Sequence, residues 1–446
     1  FEQFVTGVYG NLYLAIGRVS DWPNNDTTIA APTNSANTFY DFWNGAVAFK
    51  KVTAADMQLV IPRVDWVSGN TYIAYHQDTD LLKKSSSTQI GYDYQFYVRN
   101  INDQVFKCLA NNITSNTATA KSTVMPEISL GGQLPENAYI STSDGYKWKY
   151  MYTIPPGLKQ KFFTKQFMPI LEDPAVSGSA VDGRLDVFKI SEKGSGYNSN
   201  TAAASKEIVT VTGDGTGAKL TAQLAVYSGL TIGAYVKDIN IITAGTGYRN
   251  ATISLSESGR TSSNNAVVEA IIGPPGGHGS DVIRELGASN LMICAEITGD
   301  EEGTFPLSAG EVHGIRQVAL ILDPIVTSTG AIATNTKYRG TNKYVLSNYR
   351  AFSHDELVYQ GNVNTPTFTG IVEHYSNGVL YLSNLTGTLS LSSQLRGKTS
   401  GGSGSITSYE TTALKRYSGK MLYIENTSEI IRAIDETAQF KFVLRF

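Results

Sequence analysis

Apolar and polar residues alternate along much of the chain, and few stretches show helical spacing. Leu12, Leu14 and Ile16 alternate with Tyr13, Ala15 and Gly17, which predicts a strand after a short helical lead. Trp22-Pro23-Asn24-Asn25 ends it in a turn. Between 38 and 58, Phe39, Tyr40, Phe42 and Trp43 fit one face of a helix broken at Gly45. Residues 59–66 form a short extended run in which Pro62 points to an edge strand or a loop. Two aromatic-rich runs within 92–110 flank Asn100-Ile101-Asn102-Asp103 and predict a hairpin. In 143–156, Tyr146, Trp148, Tyr150, Tyr152 and Ile154 fall on one strand face until Pro155-Pro156 stops the run.

From Gly183 onward Gly, Ser, Thr and Ala dominate, and two related segments appear. Gly194-Ser195-Gly196-Tyr197 and Gly245-Thr246-Gly247-Tyr248 each follow one apolar alternating run and precede others. This reads as an internal β repeat, with strands around a tight Gly-x-Gly-Tyr turn. A Gly/Pro loop over 273–287 leads into a short helix, and 291–297 and 315–322 read as core strands. Short strands at roughly ten-residue spacing across 341–411 suggest a small barrel. At the end of the chain Phe440, Phe442, Leu444 and Phe446 alternate with Lys441, Val443 and Arg445. The run 420–426 alternates too; a short helical turn is expected at Ile430–Ile434, with both runs in one sheet.

The expected fold class is therefore mainly β, with few short helices, a repeat region and a small barrel-like region. Composition fits, with 25 Tyr and only 17% charged residues. A net charge of −3 gives no general basic field for nucleic acid. Cys108 and Cys294 are too few for a disulfide framework or a four-ligand zinc site. No run of 18 apolar residues occurs, so no transmembrane helix and no membrane partner are expected. The chain opens on Phe1 rather than Met, which reads as an N-terminal piece missing or removed, and no signal peptide is visible.

The candidate chemistry is sparse. His76, His278, His313, His354 and His374 show no ligand spacing. His278 could pair with Asp281 in a Gly-rich loop, or merely order that loop. The 194–196 and 213–217 glycines lack the Gly-Lys-Ser/Thr of a phosphate loop and read as turns. Asp300-Glu301-Glu302 and Asp355-Glu356 are carboxylate clusters, but adjacent acids on a strand point apart, whereas glycoside hydrolysis needs two across a cleft. There is no GxSxG elbow. No catalytic, cofactor or metal residue is assigned.

Five blocks in order carry a resemblance: 15–25 (AIGRVSDWPNN), 57–66 (MQLVIPRVDW), 143–156 (SDGYKWKYMYTIPP), 313–324 (HGIRQVALILDP) and 414–435 (LKRYSGKMLYIENTSEIIRAID). The last is the most specific, with Arg416, Ser418, Gly419, Tyr423, Glu425, Asn426, Ile430, Ile431, Asp435 and Thr437. Together they resemble the baseplate wedge subunit of T4-like contractile-tailed bacteriophages, the gene eight product family. The resemblance implies a β-sandwich scaffold over 1–185, 276–340 and 412–446 and leaves out two additions, read as inserted small β modules: the repeat module 186–275 and the barrel-like module 341–411. It implies a non-enzymatic structural protein of the virion tail baseplate, assembled in the host cytoplasm. Its implied partners are a second copy, as a homodimer, and neighbouring wedge subunits, and its implied role is to transmit the rearrangement that triggers sheath contraction. A rival reading is a host-glycan-binding or glycan-cleaving tail protein, drawn from the aromatic-rich additions and the acidic clusters. A third, a calcium-binding β module using Asp214 or Asp300, has no matching loop spacing.

Overall fold

The computed structural model describes residues 10–18, 21–22, 28–111, 120–129, 134, 138–198, 205–226, 233–260, 264–305 and 312–445, without the side chains of 312 and 313. The predicted helical lead, most of the turn at 22–25, and Phe446 lie outside these residues. The described chain is mainly β, with four α-helices, the longest of ten residues. It divides into two compact units: Phe1–Met57 with Ile293–Val443, and Gln58–Met292 with Leu444–Phe446.

In unit one, β1 (Leu12–Gly17) lies at the centre of a five-stranded sheet. It pairs antiparallel with β2 (Ala46–Lys51) and β17 (Val312–Leu322), with β18 (Lys337–Arg339) and β25 (Lys420–Ala433) outside them. All six β1 residues are buried, so both faces of the strand are covered, Tyr13 and Ala15 entering the core with Trp43 and Phe49. Helix α1 (Ala36–Gly45) starts where the Ser35 hydroxyl accepts from the Thr38 amide (3.2 Å) and stops at Gly45, as its pattern predicts. Phe42 and Trp43 face the core, with the Trp43 ring 5.0 Å from Phe49. Tyr40 faces outward against Tyr417.

Six strands over 342–410 close into a barrel: β19 (Asn342–Arg350), β20 (Leu357–Asn362), β21 (Thr365–Ser376), β22 (Val379–Gly387), β23 (Leu395–Gly397) and β24 (Ser403–Glu410). The order round the barrel is β19-β22-β21-β20-β23-β24. Tyr344, Val358, Phe368, Val372 and Leu382 fill it. Its first and last strands are paired, with Lys343 opposite Glu410, so the chain enters and leaves at one place.

The C-terminal segment departs from expectation. β25 continues as strand to Ala433, so no helical turn forms at Ile430–Ile434. The buried Arg432 donates instead to the carbonyls of Gly299 (2.6 Å) and Glu436 (3.2 Å), fixing the bend. β26 (Thr437–Arg445) then leaves β25's sheet and lies beside β16 (Asn290–Thr298). Its Phe440 and Phe442 are buried as the alternation predicts, and Phe442 meets the Tyr423 ring at 5.6 Å.

In unit two, β3 (Met57–Pro62) pairs with β8 (Phe167–Pro169) and ends on Pro62. A second sheet has the order β4 (Tyr97–Arg99), β5 (Gln104–Asn111), β7 (Tyr146–Thr153), β6 (Tyr139–Ser141). The predicted hairpin is β4–β5, closed by the Asn100 side chain, which accepts from the amides of Asn102 and Gln104. Pro155-Pro156 ends β7 by opening helix α2 (Pro156–Phe162), where a proline needs no N–H partner. The β7 aromatics do not all share one face. Val105 lies opposite Tyr152 and Phe106 opposite Tyr150, leaving Met151 as a bulge. Tyr146, Trp148 and Tyr150 enter one core, and Met151, Tyr152 and Ile154 enter another. Two more short helices, α3 (Pro174–Gly178) and α4 (Val282–Glu285), complete this part.

The repeat region is a sandwich with one core. One sheet runs β10 (Ser205–Lys206), β12 (Thr216–Val226), β13 (Ala234–Thr246); the other runs β11 (Val209–Gly213), β14 (Ala251–Leu255), β15 (Val267–Ile272), β9 (Leu185–Glu192). Both Gly-x-Gly-Tyr turns are built alike. Gly194, Gly196, Gly245 and Gly247 all have positive φ, and Tyr197 and Tyr248 are buried in the common core. Each Tyr hydroxyl accepts from a backbone amide, of Ala266 (3.0 Å) and Ala218 (3.4 Å).

Gly183 sits against the second turn at φ +62°, where an added Cβ would lie 2.3 Å from the Tyr248 backbone nitrogen. Gly69 also has positive φ (+89°) but nothing within 4 Å. Gly69→Ala is expected to cost about 1 kcal/mol, and Gly183→Ala about 2–4 kcal/mol, because only the second must also move backbone. The thermal midpoints of unit two in the two variants check this; equal shifts would contradict the close approach.

Candidate functional site

β5 and β7 place Lys107 directly opposite Lys149, and both side chains are about 1% exposed. Like charges facing each other across a ladder repel, and burial adds the loss of hydration. Other segments answer both costs. Glu285, from the last turn of α4, takes Lys107 Nζ at 2.7 Å and also accepts from the Gly279 amide at 2.6 Å. The Tyr75 ring lies 4.1 Å from Lys107 Nζ, and His278 Nδ1 accepts from it at 3.3 Å. The Tyr139 ring, on β6, lies 4.8 Å from Lys149 Nζ, and its hydroxyl donates to Asp186 at 3.0 Å.

The ionisation pattern follows. Burial opposes ionisation of Glu285, but Lys107 beside it holds the carboxyl at about 2. Burial and the Lys107 charge push His278 down to about 4, which keeps the imidazole neutral. Burial brings Lys149 down to about 8. His278 does not reach Asp281. Its nearest carboxylate is Glu285 at 3.8 Å, too far for a hydrogen bond, while Asp281 caps α4 by accepting from the Arg284 amide at 2.9 Å. This cluster ties β5, β7 and the 278–285 loop together.

The other weighed groups are also engaged in holding the fold. His76 Nε2 lies 2.8 Å from Glu269, and His354 Nδ1 lies 3.3 Å from Asp355. His374 is buried beside Tyr381, and the His313 side chain lies outside the described residues. Glu301 pairs with Lys50 (2.6 Å) and Lys337 (3.6 Å), and Glu302 with Lys337 (3.2 Å). Glu356 accepts from the amides of Ser353, Thr399 and Ser400, pinning the loop after β23. Burial raises its carboxyl, but these bonds outweigh that and hold it below the usual range. Asp214 accepts from the amides of Arg249 (2.8 Å) and Asn250 (2.9 Å), so the 213–217 glycines form a turn. Cys108 and Cys294 are buried free thiols. Among the described residues no group of three or more His, Cys, Asp or Glu is placed to hold a metal ion. No helix among them is long and apolar enough to cross a membrane.

Two features escaped the pattern reading. Glu373, on β21, is buried, accepts from the Ser383 hydroxyl of β22 through Oε1, and has no hydrogen-bond partner at Oε2. Burial, with Asp355 nearby, raises its carboxyl to about 7. The second is a cleft of about 610 Å³ in unit two, lined by Lys147, Lys189, Lys193 and Lys237 over an apolar floor.

No family model matches the chain. It is 23% identical over 180 residues to the baseplate wedge protein gp8 of Enterobacteria phage T4, a match that covers 36% of this chain and 52% of that protein. The chain thus spans about half the length of the relative it matches.

The two buried acid–base sites give opposite pH limbs. His278 and Glu285 bind protons less readily folded than unfolded, so their contribution is complete above about 6.5. It is lost as pH falls through about 4 for His278, and toward about 2 for Glu285. Glu373 binds its proton more readily when folded, so its contribution is complete below the ordinary value of 4.5 and lost as pH rises through about 7. His278→Gln is expected to remove the limb between about 6.5 and 4 in unit two. Glu373→Gln is expected to stabilise the barrel at pH 8 by on the order of 3 kcal/mol and to leave it unchanged at pH 4. Hydrogen exchange of β5 and β7 against β21 and β22, followed over pH, separates the two.

Proposed function

We propose that this chain is a structural subunit of a contractile phage tail baseplate, of the wedge type, and not an enzyme. The observation that carries the reading is its similarity over 180 residues to the T4 baseplate wedge protein gp8. The reading is further supported by Glu301, Glu356 and Asp214, carboxylates weighed for chemistry, which bond to neighbouring strands, loops and turns. In this reading the chain forms a homodimer, joins neighbouring wedge proteins in the virion, and passes on the rearrangement that triggers sheath contraction. It is assembled into the tail in the host cytoplasm. A low charge fraction suits this role, since broad surfaces are then buried without unpaired charges.

The segments 186–275 and 341–411 are proposed to be inserted modules on a wedge scaffold. The pairing of Lys343 with Glu410 supports this for the second, because the chain ends meet there.

The test is assembly. The purified chain is expected to sediment as a dimer, to co-assemble with wedge proteins from the same tail, and to occupy baseplate density in a map of the intact tail. A chain that hydrolyses host polysaccharide, or lies elsewhere in the virion, would overturn the reading. Replacing 341–411 by a short linker is expected to leave the dimer intact. Loss of folded protein would instead place the barrel in the scaffold.

A further inference from the structure

Unit two has an open cleft whose chemistry none of the foregoing uses. Its floor is apolar, formed by Ile73, Leu109, Phe188, Ile190 and Ile271. Lys147, Lys189, Lys193 and Lys237 line it against a single lining carboxylate, Asp238, which Lys147 engages at 3.2 Å. Glu269 stands opposite Lys189 across β9 and β15 but is bound by His76. Lys189, Lys193 and Lys237 are exposed and form no ion pair among the described residues. The cleft therefore offers excess positive charge over an apolar floor, within the size range of ligand sites.

Backbone completes the picture. β6, β9 and β13 are each the outer strand of their own sheets, and each contributes residues to the cleft: Ser141, Phe188 to Ile190, and Lys237 with Asp238. The β13 edge is already taken at Ala234 and Val236 by the backbone of Tyr197 and Lys193, whereas β6 and β9 leave alternate N–H and C=O groups available to another strand. The aromatic rings nearby are occupied. Tyr75 packs against His278 and Lys107, Tyr146 stacks on Trp148 at 5.3 Å, and Phe188 is buried. Each of the three aromatic residues lining the cleft is thus engaged by the protein itself. The rim carries lysines rather than the forked guanidiniums that favour bidentate phosphate recognition.

We propose that this cleft docks an extended, acidic peptide segment of a partner protein by strand addition. Carboxylate side chains meet the lysine rim, and the alternate apolar side chains enter the floor, the period-two pattern of an added strand. The site is read from the cleft alone and stands whether or not the chain is a baseplate subunit.

The test uses the full chain and a fluorescent octapeptide of alternating Val and Glu, followed by anisotropy. Saturable binding that weakens with salt is expected. The triple variant Lys189→Glu, Lys193→Glu, Lys237→Glu, with an unchanged melting profile, is expected to bind at least about tenfold more weakly. Should that variant misfold, Lys237→Gln alone is expected to lose about threefold. An octaglutamate peptide, which lacks the apolar half, and a Val–Glu peptide N-methylated at alternate residues, which lacks the ladder donors, are each expected to bind at least about tenfold more weakly. An oligothymidylate or inorganic phosphate is expected not to displace the peptide. Absence of saturable binding, undiminished binding by the charge variant, or equal binding of the N-methylated peptide would overturn the proposal. So would displacement by the oligonucleotide or by phosphate.

Discussion

Two lysine ammonium groups face each other in the middle of a sheet, and much of unit two is arranged around them. Lys107 and Lys149 stand opposite in β5 and β7, buried, and each needs a counter-group that the sheet cannot supply. The groups come from far along the chain: Glu285 from α4, Tyr75 from the segment before β4, Tyr139 from β6. Removing one partner of such a pair leaves a buried charge uncompensated, at a cost of about 3–5 kcal/mol. An apolar core would tolerate several packings of these segments, whereas a buried ammonium is satisfied by only one. The cluster therefore specifies how α4 and its preceding glycine loop sit against the sheet. That explains the close approach at Gly279, where an added Cβ would lie 2.7 Å from Val176 and 2.9 Å from the Lys149 side chain.

The strands were legible where one periodicity persisted and one face met one environment. β1, the hairpin β4–β5, helix α1, the barrel strands and β26 follow the alternation or helical spacing of their residues. The reading failed where geometry was set by something distant. Met151 bulges out of β7, and a bulge has no mark in an alternating aromatic run. Ile430–Ile434 carries apolar spacing that suits a helical turn, but its pairing with β17 keeps it extended. Gly-x-Gly-Tyr was readable because positive φ demands glycine and a buried tyrosine must find a hydroxyl partner, two local requirements.

The candidate sites were legible to a smaller degree for the same reason. Lys147 and Lys149 alternate with aromatics, so the pattern places both on a polar face. Only tertiary structure separates them, Lys149 under Tyr139 and Lys147 at the cleft. Likewise His278 and Asp281 are near neighbours in sequence, yet the carboxylate that shapes the histidine's electrostatics is Glu285, one helical turn further on. Glu373 reads as a charged residue in a polar strand, and its burial beside Ser383 of the neighbouring strand depends on tertiary packing that the strand's own pattern does not carry.

Edge management separates the two units. In the barrel of unit one, closure leaves no strand edge to pair with another chain. The outer strand β25 is long, but Trp22 Nε1 donates to the Thr427 carbonyl (2.9 Å) and Asn426 Nδ2 to the Ala30 carbonyl (2.8 Å). Its middle is thus held by the segment after β1. Unit two does the opposite at one place, where the outer strands β6 and β9 border a single cleft beside β13, whose own edge is held by Lys193 and Tyr197. Folding stability alone gives no reason to leave these edges open there, since an exposed edge is an aggregation hazard. Lysines along such an edge repel a second identical copy while attracting an acidic strand, so the same side chains that guard the cleft select what enters it.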